Sequence, residues 1–188
     1  MNLKNLRTIT IIIAILYSIP VFSQEENFEK HVFTYKKVQN HEIKANIFIP
    51  KGEQKHPALV YFHGGGFIFG NRDEDLVDAL RDSLLAHNYA VVSADYRLAP
   101  ETKLAEILKD VRDAVIYLRK EGVKKFNIDR DKIAVAGGSA AGYLALSTGY
   151  NVVPPPQAII AISTPTDFSA ASKIEKGDEA ILKQGGPL

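Results

Sequence analysis

The pattern of apolar and polar positions changes period along the chain, and the changes mark out the elements. Residues 42–49 alternate, with Ile43, Ala45, Ile47 and Ile49 on one side and Glu42, Lys44 and Asn46 on the other. That period of two predicts a half-buried strand, and Val32 to Val38 just before it forms its expected hairpin partner. Four later runs are apolar without alternation: 58–62, 90–92, 133–136 and 158–162. Short continuous runs suit strands covered on both faces, as in a parallel sheet. Helical spacing separates them. Leu76, Val77, Leu80 and Leu84 share a stripe, with Asp73, Glu74 and Asp75 placed to favour a positive helix N-terminus. Leu104, Ile107, Leu108, Val111, Val115 and Leu118 form a second stripe, which Gly122 is expected to end. A third helix is expected from about Ala140 to a cap at Gly149. Strands alternating with helices predict an α/β fold, a mostly parallel sheet with crossover helices. Pro154-Pro155-Pro156 makes a rigid lead into the run at 158–162.

The N-terminus follows a different rule. Lys4 and Arg7 precede an apolar run from Ile9 to Ile19, and a polar boundary follows at Ser23-Gln24. This describes a secretory signal over residues 1–23, with a domain over 24–188 and a secreted or periplasmic protein. The run is shorter than the ~20 residues of a membrane helix. An uncleaved N-terminal anchor is the alternative.

Composition narrows the chemistry. The 188 residues are 46% hydrophobic and 24% charged, with 23 Lys+Arg against 22 Asp+Glu. Such balance argues for one globular domain and against a nucleic-acid partner. The absence of Cys removes disulfides, thiolate metal sites, a lipid-modified N-terminus and a Cys nucleophile together. The five histidines are scattered without ligand spacing, so neither metal nor cofactor is expected.

Two strand-end loops carry candidate chemistry. Gly137-Gly138-Ser139-Ala140-Ala141-Gly142 lies between the run at 133–136 and the third helix. A strand turning directly into a helix puts its middle residue on a sharp bend, needs small neighbours and pushes the serine hydroxyl outward. Ser139 is thus a candidate nucleophile, although the G-x-S-x-G pattern has Ala141 at its fifth position. A dinucleotide fingerprint would need Gly at 139, and a phosphate-binding loop would need Lys where Tyr143 stands. A tight strand–helix junction without chemistry is the plainer reading of this loop alone. The second loop, His63-Gly64-Gly65-Gly66-Phe67, follows the run at 58–62. Its glycines let backbone N–H groups approach a developing oxyanion; a flexible turn is the plainer reading. His63 precedes the glycines and is expected to hold the loop rather than face Ser139.

These two loops, with Asp95-Tyr96-Arg97-Leu98-Ala99-Pro100-Glu101 between them, resemble α/β-hydrolase-fold serine esterases. The likeness is to the hormone-sensitive-lipase-like group and to bacterial acetyl and feruloyl esterases, over roughly residues 32–168. The resemblance implies oxyanion donors at Gly65, Gly66 and Ala140. It also implies ester hydrolysis through an acyl-enzyme on Ser139, with a small ester or an acylated carbohydrate as substrate. The middle motif has no catalytic logic of its own; Asp95 and Arg97 are expected to tie a loop together.

The order of partners in this fold is Ser, then Asp or Glu, then His. His31, His41, His56, His63 and His87 all precede Ser139. The acids after it are Asp167, Glu175, Asp178 and Glu179, of which Asp167 reads as a turn or cap residue. The expectation is therefore a C-terminally incomplete hydrolase domain lacking its last strands. Its catalytic acid and base are absent from these residues, and it is inactive alone. A non-catalytic binding remnant and one part of a split enzyme are the alternatives. With the last strands gone, the run at 158–162 becomes a raw apolar edge, for which self-association is expected.

Overall fold

A computed structural model describes residues 27–166, so the signal expected over 1–23 and Asp167 lie outside the described residues. The hairpin read from the alternation is present: β1 (Phe28–Val38) and β2 (His41–Pro50) pair antiparallel. Ile43, Ala45 and Ile47 are buried on one face of β2, as its period requires. Asn46 and Phe48 on the opposite face are buried as well, contrary to the half-exposed strand expected. The cause is a second cover: Asn46 bonds to Asp73 and Arg72, and Phe48 packs with Leu85 and Val91.

The unbroken apolar runs become β3 (His56–Phe62), β4 (Ala90–Ala94), β5 (Ile128–Gly138) and β6 (Ala158–Ile162). The sheet order is β1-β2-β4-β3-β5-β6. β4, β3, β5 and β6 are mutually parallel, while β2 meets β4 antiparallel. β3 and β4 are covered on both faces, so Ala58, Val60, Ala90, Val91 and Ala94 have no exposed surface. β6 departs from that expectation. Among the described residues it pairs only with β5, and Ile160 and Ile162 are exposed.

Helix α1 (Asp78–Ala86) covers one face and starts later than the stripe predicts. Val77 and Leu80 point to solvent; Leu85 is the buried contact, with Leu76 and Leu84 packed beside it. The acidic triplet therefore precedes the helix, and Asp73 and Asp75 serve as hydrogen-bond acceptors rather than as dipole partners. On the other face, α2 (Leu104–Tyr117) buries Ile107, Val111 and Val115 completely, as its stripe requires. Gly122 does not end it. A π-helical turn, Leu118–Gly122, leads into the short α3 (Val123–Lys125). Space is tight there, since a Cβ at 122 would meet Leu118 Cδ2 at 3.2 Å. α4 (Ala140–Asn151) likewise runs past Gly149, which forms no cap; a Cβ there would stand 3.1 Å from Ile159 Cδ1.

Candidate active site

β3 and β5 are neighbours, and their register pairs Phe62 with Gly137. The two loops singled out from the sequence therefore leave the same end of the sheet side by side. A Cβ built on Gly64 would stand 3.5 Å from the Gly138 carbonyl oxygen and 3.9 Å from Ser139 Cβ. Glycine loop and serine turn are thus within a methyl group's reach of each other.

Ser139 is the bend between β5 and α4, with φ 53° and ψ −125°. A non-glycine residue in such a conformation is strained and needs its surroundings to hold it. Three contacts do so. Ser139 N–H donates to the Ile162 carbonyl at 2.9 Å, and Gly142 N–H donates to the Ser139 carbonyl at 3.0 Å. Gly142 lies against Thr164, where a Cβ would come within 2.5 Å of the threonine Cβ. Ala141, at the fifth position of the motif, is fully buried, and the space it takes is the space Gly137 leaves. The departure from G-x-S-x-G is thus accommodated by the glycine at its first position.

The glycine loop is shaped by left-handed backbone and by a shell of acceptors and donors. Gly65 has φ 109°, and a Cβ there would overlap the Phe69 carbonyl oxygen at 2.0 Å. Gly65 C=O accepts from Ile68 and Phe69 N–H, and Phe67 C=O accepts from Ala99 N–H. His63 is buried; its Nδ1–H donates to Gly64 C=O at 2.8 Å, and its ring stacks on Tyr96 at 4.3 Å. Tyr96 O–H in turn donates to His63 C=O at 2.8 Å. Burial, with Asp75 and Asp95 nearby, pushes the Tyr96 hydroxyl well above its usual range, so it stays a donor. His63 braces the loop, as expected, and no histidine hydrogen-bonds the Ser139 hydroxyl among the described residues.

Gly64 N–H is taken by Asp75 Oδ2 at 2.7 Å. The N–H groups of Gly65 and Gly66 have no acceptor among the described residues. Ala140 opens α4, so its N–H has no helical carbonyl behind it. The two neighbouring loops therefore carry three N–H groups with no protein acceptor among the described residues. Such a set suits a negatively charged oxygen.

The middle motif ties two different elements. Asp95 accepts from Arg72 N–H at 2.7 Å and pairs with the Arg72 guanidinium, fixing the exit of the glycine loop. Arg97 makes a two-bonded fork to buried Asp110 on α2, at 2.7 and 2.8 Å, and Lys36 of β1 joins the same carboxylate at 2.8 Å. Asp75, Tyr96 and Asp110 were not legible as partners from sequence. A cavity of about 660 Å³ opens beside this motif, between Gly70, Arg72, Tyr96, Leu98 and the start of β2. Ser139, Gly65 and Gly66 are not among its walls.

Residues 45–184 match the BD-FAE family. An arylesterase of Saccharolobus solfataricus is 33% identical over 113 residues, covering 60% of this chain and 36% of its own. A non-reducing polyketide synthase of Preussia isomera, Preu6, is 28% identical over 179 residues, 87% of this chain but 8% of the synthase. The solved structure of EstE1, a thermostable carboxylesterase cloned from a metagenomic library, superposes with a TM-score of 0.57. It is 36% identical and shares 66% of this chain and 42% of its own. The chain therefore spans about a third of the arylesterase and less than half of the solved carboxylesterase. Sheet order, strained serine turn, glycine loop and family match agree: the chain belongs to the BD-FAE family of α/β-hydrolase-type proteins.

Proposed function

We propose that this chain carries the nucleophile and oxyanion half of an exported carboxylic-ester hydrolase that works through an acyl-enzyme on Ser139. The observation that carries the reading is the close approach of the strained Ser139 turn to a glycine loop whose Gly65 and Gly66 N–H groups have no acceptor among the described residues. In this scheme Ser139 Oγ bonds to the ester carbonyl carbon, and the carbonyl π electrons move to its oxygen. Gly65, Gly66 and Ala140 N–H receive that oxyanion. A base takes the Ser139 proton and passes it to the alcohol that collapse expels; water then attacks the acyl group, releases the acid and returns a proton to Ser139 Oγ. Solved esterases of similar fold and sequence support the class.

Serine needs a base to take its proton. Residues 140–188 contain no histidine, and His63, which adjoins the glycine loop, has its ring stacked and its Nδ1–H committed. Loss of the base in a comparable triad costs about a million-fold in turnover, while oxyanion donors alone leave roughly 10³–10⁴ over water. Residues 1–188 alone are therefore expected to hydrolyse 4-nitrophenyl acetate barely above background. Robust hydrolysis abolished by Ser139→Ala would overturn the claim of a missing base while upholding Ser139. Robust hydrolysis that survives Ser139→Ala would overturn the nucleophile.

The export expectation joins this reading through the basic and apolar pattern of residues 1–23. No helix among the described residues is long and apolar enough to cross a membrane.

A further inference from the structure

A loop of three successive glycines has no side chains to choose its peptide orientations, so each orientation is set by what the backbone groups bond to. Two carbonyls of this run are accounted for. Gly64 C=O takes His63 Nδ1–H and the Tyr96 hydroxyl at 3.4 Å, and Gly65 C=O takes two N–H groups from its own turn. One peptide N–H of the run is also fixed: Gly64 N–H donates to Asp75 Oδ2 at 2.7 Å. The same oxygen accepts the Tyr61 hydroxyl at 3.1 Å. Burial and the Asp75 charge push the Tyr61 hydroxyl up to about 12, so it stays protonated and keeps donating. Gly64 itself is wedged between Asp75 and the serine turn: its built Cβ is 3.7 Å from Asp75 Oδ2 and 3.9 Å from Ser139 Cβ.

We propose that Asp75 is a positioning residue for the oxyanion loop, holding the Gly64 N–H aside so that the Gly65 and Gly66 N–H groups stay free for the oxygen that develops at Ser139. This rests on the function proposed above. Without Asp75, the Gly64 N–H loses its acceptor, and the peptides around it can rotate. What the loop needs from residue 75 is an acceptor, not a charge, because a carboxylate beside an oxyanion is electrostatically unfavourable. The other carboxylate oxygen, Oδ1, has no protein partner among the described residues, so an amide NH₂ fits in its place. Asp75→Asn therefore keeps the function of the residue, and Asp75→Ala removes it.

The test uses the 188-residue chain and phenylboronic acid. Ser139 Oγ bonds to boron, boron becomes tetrahedral and anionic, and the serine proton passes to solvent. This is an equilibrium that reads oxyanion donors without needing a catalytic base. Wild type and Asp75→Asn are expected to bind with similar affinity by calorimetry, the asparagine variant equal or tighter. Asp75→Ala is expected to bind about tenfold more weakly, a fraction of the effect of deleting a donor outright. Asp75→Leu, similar in size and without an acceptor, replaces the alanine variant if circular dichroism shows that variant unfolded. Equal affinity of wild type and Asp75→Ala would overturn the proposal, as would an Asp75→Asn variant as weak as the alanine. Binding that survives Ser139→Ala, or no binding by wild type, would instead defeat the nucleophile reading. The positioning claim then stands on amide NMR alone. The Gly64 amide proton is expected downfield in wild type and Asp75→Asn and shifted upfield in Asp75→Ala, with Gly65 and Gly66 moving too. An unmoved Gly64 resonance overturns the proposal.

Discussion

Replacing Gly137 by alanine tests whether backbone contact closes the serine turn. A Cβ at that position would stand 2.4 Å from the Ala141 carbonyl oxygen, 2.6 Å from its carbonyl carbon and 2.8 Å from its Cβ, where ordinary contact begins at 3.4 Å. All three atoms belong to Ala141 in the first turn of α4, two of them backbone, and none can rotate away, so the turn must open by about 1 Å, more than side-chain adjustment absorbs. Overpacking of this kind costs about 1–3 kcal/mol, and rigid backbone neighbours place it near the top of that range. Alanine recovers up to ~1 kcal/mol by restricting the unfolded chain. The net expectation is a loss of about 2 kcal/mol. Urea unfolding of the 188-residue chain, followed by far-UV circular dichroism, should show the midpoint falling by about 1 M at an unchanged slope. Ala141→Gly serves as the control, because it writes the full G-x-S-x-G pattern into the turn. Alone it should destabilise by about 1–2 kcal/mol, through helix propensity and a lost buried methyl. Combined with Gly137→Ala it should restore little, since the two shortest contacts are with backbone that remains. A Gly137→Ala chain as stable as wild type, or one rescued by Ala141→Gly, would refute this account of the turn.

Two further outcomes follow from the charged network behind the middle motif. Asp110 is fully buried and holds both Arg97 and Lys36, so Asp110→Ala should cost about 3 kcal/mol, the lower end for an opened buried pair because both cations keep some water contact. A urea-measured loss under about 1 kcal/mol would show that the network does not hold α2 to β1 and the motif. The Asp113 carboxyl is pushed up by burial, but hydrogen bonds from Lys36 and Arg112, with their charges, more than offset this and leave it below its usual value. A carboxyl depressed in the folded state adds stability that is present above its unfolded value, about 3.9, and is lost as pH falls through the folded one. Asp113→Asn should therefore flatten the acid limb of stability below about pH 4 and leave the slope between about pH 5 and 7 alone. An acid limb identical to wild type would contradict this.

What was legible in the sequence is what local physics determines. Continuous apolar runs gave away β3, β4 and β5 because both of their faces are covered. The serine turn and glycine loop were legible because strain and close approach exclude most residues there, a restriction written into consecutive positions. Helix α1 was misplaced for a physical reason. Leu76 and Val77 continue its apolar spacing, yet its N-cap is Val77, which offers no capping side chain, and Asp73 and Asp75 are drawn to tertiary partners instead. Gly122 and Gly149 carry the sequence marks of helix ends, but the chain stays helical past both, in surroundings that only the fold supplies. Asp75 and Asp110 were invisible for the same reason: their partners lie on β3 and its exit loop, and on β1 and the middle motif. No spacing along one element reports which strand stands next to which.

The last strand shows how that non-local information bears on the chemistry. From sequence β6 is expected to be an apolar edge; among the described residues Ile160 and Ile162 are exposed. Its backbone, however, is part of the serine turn. The Ile162 carbonyl accepts the Ser139 N–H, and Thr164 just beyond fills the gap beside Gly142. Pairing in register, Val135 with Ile159 through Gly138 with Ile162, is what aims that carbonyl. Successive residues of a strand present opposite faces, so a slip of β6 by one position would turn Ile162 away and leave the strained serine without its main-chain acceptor. The conformation of Ser139 is therefore set by three strands: β5 delivers it, β3 brings the glycine loop against it, and β6 holds its N–H. Among the described residues β6 pairs only with β5, so the strand that holds the Ser139 N–H does so through that one register.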